Sequence, residues 1–249
     1  WFDLGNVYLQ QANWAAATAA YEHGLALAPG DARGQAGIGR VLHKQGRLDE
    51  AEAHFRAWLA VAPAAAMPHV MLGLLLNERG ATAEALAELR AADSLASCSP
   101  DAAMFEGAIL FGENDLTGAE SAFRRALSVE PGNPLIELSL GATLLMQGRA
   151  AEAVPLLESA VAHQPGLLHA YYALGQSYKE LGETGPARDA FAELVAQAGA
   201  APQPTLELAV AYEEIGQPQA AIDVYRGMLA QRLRVFDGGL CGCEPSDRH

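Results

Sequence analysis

Histidines, cysteines and paired carboxylates are the side chains whose spacing could support metal, redox or acid–base chemistry. None has that spacing here. The seven histidines, His23, His43, His54, His69, His163, His169 and His249, are dispersed along the chain. No two form the four-residue pair that sets imidazoles on one helical face for zinc. Cys241 and Cys243 are separated by one residue and Cys98 stands alone, whereas redox pairs and zinc knuckles place two residues between their thiols. Carboxylate pairs such as Asp49-Glu50 and Glu213-Glu214 read as solvated helix faces, and nothing marks one as a general acid. Neither a phosphate-cradling glycine loop nor a nucleophile elbow is present. The residues predict no catalytic group, no metal and no cofactor, so this segment is expected not to be an enzyme.

Composition narrows the remaining classes. Of 249 residues, 51% are hydrophobic and only 7% aromatic, with alanine dominant, which suits closely packed helices better than sheets. The fold class is all-α. A formal charge of −14 argues against nucleic acid and against an anionic membrane surface, both of which require clustered Lys and Arg. No apolar run approaches the roughly 18 residues of a membrane span, so membrane insertion is not expected. Three cysteines are too few and too unevenly spaced for a disulfide framework. The chain opens at Trp1, already inside a repeat, which predicts that its natural N-terminus lies upstream. A targeting segment is therefore left open, with a soluble protein of the cytoplasm or periplasm expected.

The elements that would position any site follow from an internal period of 34 residues. Pro29 and Pro63 are 34 apart, as are Pro131 and Pro165. A small residue recurs at Ala17, Ala51, Ala85, Ala119, Ala153, Ala187 and Ala221. Glycine recurs from Gly5 through Gly39, Gly73, Gly107 and Gly141 to Gly175, and a large residue at Tyr21, Phe55, Leu89, Phe123, Leu157, Phe191 and Tyr225. Seven units fit the chain.

Within a unit, Leu140, Gly141 and Leu144 fall at helical spacing, and Ala153, Leu157 and Ala160 do so again beyond Gly148. Each unit is thus two helices joined by a tight turn at Gly46, Gly80, Gly148, Gly182 and Gly216, where a left-handed backbone is cheapest for glycine. Glycine inside a helix costs about 0.5–1 kcal/mol against alanine. Close approach of the paired helices is expected to compensate, with the Ala153 column packing opposite the Gly141 column and the large residues filling the space between hairpins. Proline ends each second helix, and Pro134 and Pro218 suit first helical turns. The array is expected over residues 1–235. Asp237-Gly238-Gly239 is expected to break any helix, leaving 236–249, with Cys241 and Cys243, as an irregular tail.

The pattern resembles the tetratricopeptide repeat family. Trp1, Leu4, Gly5, Tyr8, Ala17, Tyr21 and Pro29 match its signature almost completely, and later units match with substitutions. Glu106 stands where a leucine is expected, and Ser97, Gly199 and Leu233 replace the proline. Ser97 predicts a looser or differently angled junction between the third and fourth units.

The resemblance implies a right-handed α-solenoid superhelix with the first helix of each hairpin lining a concave groove, and a protein-binding scaffold or adaptor as its function. The alternative is the recruiting module of a longer enzyme, such as a transferase, or of an envelope or secretion-assembly protein. Groove positions carried over from the family are Arg33, Arg40, His43 and Lys44 in the second unit. The next three units offer Met67, Val70, Met71 and Leu74, then Met104, Phe105 and Phe111, then Leu135, Leu138 and Leu145. The last two offer Tyr172, Gln176, Lys179 and Glu213. The partner implied is a protein or peptide segment, apolar or amphipathic, with self-association also compatible. Basic residues at one end and Glu207, Glu213 and Glu214 at the other predict a polarised ligand. Some family members clamp a chaperone's C-terminal carboxylate with Lys and Asn. Asn6 matches one such position, but Phe2, Gly37, Met67 and Met71 occupy the others, so that ligand is not expected.

Overall fold

Seven residues at one position of the 34-residue period adopt the left-handed backbone that turns one helix back on another. Five are Gly46, Gly80, Gly148, Gly182 and Gly216, with φ between 72° and 80°. The other two are Ala12, with φ 55°, and Asn114, with φ 61°. Asparagine visits this region at modest cost, whereas alanine is strained there.

Between these turns the computed structural model places helices alone among the described residues, which are 1–95, 99–199, 203 and 205–240, the last ten as backbone. The hairpins are α1 (Phe2–Gln10) with α2 (Trp14–Leu27), α3 (Ala32–Lys44) with α4 (Leu48–Val61), and α5 (Ala66–Glu78) with α6 (Thr82–Leu95). Then come α7 (Pro100–Gly112) with α8 (Leu116–Val129), α9 (Pro134–Met146) with α10 (Ala150–His163), and α11 (Leu168–Glu180) with α12 (Thr184–Ala198). The last is α13 (Leu206–Glu214) with α14 (Pro218–Leu240). Several ends are fixed as the sequence dictates. Asn13, Asp31, Ser99, Asp115, Asn133 and Thr205 accept backbone N–H groups of first turns. The second helices α2, α4, α8 and α10 stop two residues short of Pro29, Pro63, Pro131 and Pro165, because a proline disfavours helical geometry in the residue before it.

The chain divides into two compact units, Trp1–Pro131 with α1–α8 and Gly132–His249 with α9–α14. In the first, Phe2, Tyr21, Ile38, Val41, Phe55 and Leu72 form one buried cluster, and Val70, Leu76, Leu89, Ala102 and Ile109 another. In the second, Tyr171, Phe191, Leu194, Leu208 and Val224 are buried together. Each unit is a stack of helical hairpins, as an α-solenoid requires.

Two expectations are corrected. The nearest neighbour of each glycine in the Gly141 column is the large residue of its own hairpin rather than a side chain of the alanine column. A Cβ on Gly141 would stand 2.7 Å from Leu157 Cγ, and one on Gly107 2.6 Å from Phe123 Cε1. The large side chain lies across the missing Cβ, and Tyr21 does so twice. A Cβ at Gly5 would stand 2.5 Å from its ring, and one at Gly37 of the next hairpin would be as crowded. Second, α14 continues through Asp237-Gly238-Gly239 to Leu240, since a helix already propagating tolerates glycine at about 1 kcal/mol each. Ser97, Cys98 and the tail with Cys241 and Cys243 lie outside the described residues.

Glu106, the departure from leucine, is 4% exposed and stays in the core because two guanidiniums meet it. Arg90 Nε donates to its Oε1 at 2.7 Å, and Arg125 donates to Oε2 while its Nε reaches Asp93 at 3.2 Å. A buried carboxylate persists only when paired and hydrogen-bonded.

Candidate partner-binding face

In the first unit the sequence-derived positions separate into a cleft, a half-buried apolar strip and one core residue. Arg33, Arg40, Met67 and Met71 line a cleft of about 540 Å³ together with Asn6, Trp58, Ala32 and Ala36 of α3, and Ala62 and Ala65 of the α4–α5 connection. The volume lies in the roughly 300–1,000 Å³ range of ligand clefts. Met67 is 43% exposed. Met71, Leu74 and Phe105 pack half-buried against the α5–α7 core, and Met104 and Phe111 are half-buried on α7. Val70 is the exception: at 1% exposure it belongs to the core and not to the face. It shares its buried cluster with Leu76, Ala102 and Ile109.

Electrostatics in this unit differ from a simple basic end. Arg33 already holds a carboxylate, its Nη2 lying 2.7 Å from Asp31 Oδ2, and its guanidinium stacks 4.8 Å above the Phe2 ring. His43 Nε2 lies 2.8 Å from Glu78 Oε2. Arg40 donates through Nη2 to Asn6 Oδ1 at 2.7 Å, and the Tyr21 hydroxyl donates to the same oxygen at 2.9 Å. Burial pushes the Tyr21 phenol above its ordinary value, against the opposing pull of the Arg40 guanidinium, so it remains a proton donor. Lys44 is solvent-exposed.

In the second unit, Leu135 is 48% exposed, and Leu138 and Leu145 are half-buried on the same helix. Tyr172 meets Phe191 edge-on at 6.2 Å, and Gln176 Nε2 donates to the Tyr172 hydroxyl at 3.0 Å. Lys179 Nζ lies 2.5 Å from Glu214 Oε1, and Glu213 accepts from the Tyr225 hydroxyl at 3.3 Å. Lys179 and Glu214 thus satisfy each other, so the acidic end is less uniform than the sequence predicts.

Trp58 is the residue that sequence reasoning missed. It comes from a second helix, whereas face positions were drawn from first helices. A signal was available: at its place in the period the chain carries Gly24, Ala92, Ala126, Ala160, Leu194 and Met228, so the tryptophan is the one aromatic in a column of smaller residues.

Among the described residues no helix is long and apolar enough to cross a membrane. The tetratricopeptide repeat profiles match residues 2–68 and 106–167, 144–204, and 206–237. No curated protein sequence matches the chain. Among solved structures, the C-terminal part of a TPR repeat-containing protein from Cytophaga hutchinsonii is similar at TM-score 0.68 and 15% identity, with 92% of this chain and 95% of that one covered. PilW, described as a widely conserved type IV pilus biogenesis factor, is similar at TM-score 0.66 and 22% identity, covering 78% of this chain and 90% of its own. YrrB, described as a TPR protein with an unusual peptide-binding site, gives TM-score 0.62 and 18% identity, covering 78% and 98%. At these identities the likeness concerns the fold, which the repeat period, the left-handed turns and the profile matches also define, and the chain belongs to the tetratricopeptide repeat family.

Proposed function

We propose that this chain is a protein-interaction scaffold that holds a peptide or helix of a partner against its first helices. The observation that carries this reading is the apolar surface left on those helices. Met67 at 43%, Leu135 at 48% and Met146 at 54% exposure leave large apolar side chains open to solvent on first helices, and exposed apolar surface can mark an interaction site. Methionine adapts its flexible thioether to varied apolar partners. In the first unit this surface is continuous with the cleft of Trp58 and Met71, so an amphipathic or extended segment finds both an apolar wall and nearby cations. The peptide-binding site named for YrrB supports the same class of activity.

The test is selection of peptides from a random displayed library against the chain, followed by binding kinetics on variants. Met67→Ala is expected to weaken the selected peptides mainly through faster dissociation, by about 1–2 kcal/mol. Lys44→Glu, on an exposed cation, is expected to slow association and to lose its effect in high salt. Glu84→Ala, on the exposed face of a second helix, should change nothing. Selected peptides that respond to Glu84→Ala and ignore the other two variants would refute the assignment of the face.

A further inference from the structure

We propose that the cavity walled by α11 and α12 in the second unit receives an arginine side chain of a partner protein, with Asp189 and Glu193 holding its guanidinium beside Tyr171 and Tyr178. Tyr172, Gln176 and Lys179, the face positions of α11, do not line this cavity. The inference therefore goes beyond the first-helix reading and concerns a second surface.

The cavity measures about 550 Å³, within the roughly 300–1,000 Å³ range of ligand clefts. Leu174 is buried at its wall, Pro186 is exposed, and Tyr171 and Tyr178 supply two rings. Tyr171 is only 9% exposed, and its hydroxyl has no hydrogen-bond partner among the described residues. Polar groups on buried side chains are nearly always paired, so this oxygen gains when a donor arrives. Tyr178 is already engaged, its hydroxyl donating to Glu158 Oε1 at 2.6 Å. That bond first, and burial second, push the Tyr178 phenol up to about 12. Burial, followed by the charge of Glu193, raises Tyr171 as well. Both phenols stay neutral at physiological pH, so the negative charge at the cavity belongs to carboxylates alone.

Asp189 and Glu193 stand one helical turn apart on α12, where like charges repel. Neither pairs with a cation among the described residues, and neither do Glu158 and Glu183, whose charges act on Tyr178. Nearby carboxylates of the same unit do find partners: Glu214 holds Lys179 and Asp223 holds Arg226. The repeat itself calls for no acid here. Where the sixth hairpin has Asp189, the five before it carry Ala19, Ala53, Ala87, Ser121 and Pro155.

The donor set selects the kind of cation. Among the described residues no three His, Cys, Asp or Glu groups are placed to hold a metal ion, whereas hard divalent cations take six or more oxygens. Two carboxylates in succession beside aromatic rings suit a guanidinium. It is planar and weakly hydrated, lies on aromatic faces, and has five N–H donors to divide between the carboxylates and the Tyr171 oxygen. An ammonium is a compact, strongly hydrated point charge and meets fewer of these groups at once.

The experiment selects a random displayed peptide library on the wild-type chain and retains peptides that lose binding to the double variant Asp189→Asn, Glu193→Gln. Both positions are solvent-exposed, and a circular dichroism melting midpoint no lower than that of the wild type verifies the fold. The retained peptides are expected to share an arginine. In the tightest of them, replacing that arginine by citrulline, its neutral isostere, should weaken binding about tenfold or more, with lysine between the two. Tyr171→Phe removes only the hydroxyl and should narrow the advantage of arginine over lysine. Retained peptides without an arginine, or a citrulline peptide that binds as tightly, would overturn the proposal. An equal loss of binding on Glu84→Gln would do so too, because it would mark a general attraction to a chain of net charge −14. If the selected peptides respond to Met67→Ala and none to the double variant, the first-helix face stands and the arginine site falls.

Discussion

Gly141 and Leu157 offer a perturbation whose sign, not merely its size, depends on the packing described above. A Cβ at residue 141 would lie 2.7 Å from Leu157 Cγ and 2.8 Å from Cδ2, where ordinary contact begins at 3.4 Å. Leu157 is fully buried, so it must retreat about 0.7 Å into a close-packed interior. Overpacking of this kind costs about 1–3 kcal/mol. Alanine in place of a helix-interior glycine gains about 1 kcal/mol, leaving Gly141→Ala destabilising by roughly 1 kcal/mol. Leu157→Ala alone should cost about 2–5 kcal/mol, as large-to-small core changes do. In that background the three Leu157 atoms that crowd the new Cβ are gone and the helix preference dominates, so Gly141→Ala should stabilise by up to about 1 kcal/mol. Urea unfolding followed by far-UV circular dichroism reads all four proteins as midpoint shifts at constant slope. The coupling should be about 1–3 kcal/mol. Gly148→Ala is the control. That residue has φ 72° and open space around a Cβ, so its cost is backbone strain and should be the same in both backgrounds. If Gly141→Ala has one sign and one size regardless of Leu157, the glycine column does not exist to admit the large side chain.

Two further outcomes follow from local geometry. Ala12→Gly, at the strained turn with φ 55°, should raise the melting midpoint, by up to about 1 kcal/mol of stability once the extra entropy of the unfolded glycine is deducted; a lower midpoint would contradict the strain. His54 is held below its ordinary value, first by burial and against the opposing pull of Glu50 and Glu22, with its Nδ1 2.7 Å from Gln35 Oε1. A depressed folded value means the contribution is present above the unfolded value and lost as pH falls through the folded one. The wild-type melting midpoint should therefore drop more steeply than that of His54→Gln between about pH 7 and 5, and parallel curves would remove His54 from the acid response.

Much of this molecule is readable without coordinates because a solenoid repeats one local solution. Ala17 and its six successors, the glycines at turns, and the prolines after second helices each express a neighbour-range constraint, so periodicity alone yields the hairpins and the all-α class. The same columns say which residue types are packed. They do not say which atom meets which: Leu157 rather than Ala153 covers Gly141 because side-chain length and direction, not spacing, decide what reaches a missing Cβ.

The candidate face divides along the same line. Arg40, Met67 and Met71 are legible as first-helix positions, but Val70, on the same helix as the two methionines, is core. Trp58 enters from a second helix, because a cleft between hairpins is walled by whichever side chains are long enough to reach it. Charge is the least local property of all. Arg33, His43 and Lys179 look free in the sequence and are partnered in the fold, by Asp31, Glu78 and Glu214, while Arg40 meets Asn6 and, among the described residues, no carboxylate. Two of those three partners lie 35 residues away, on the next hairpin. Sequence alone determined the helices and their repeat; only the tertiary stacking of hairpins brought His43 to Glu78 and Lys179 to Glu214, since Coulombic pairing depends on separation in space.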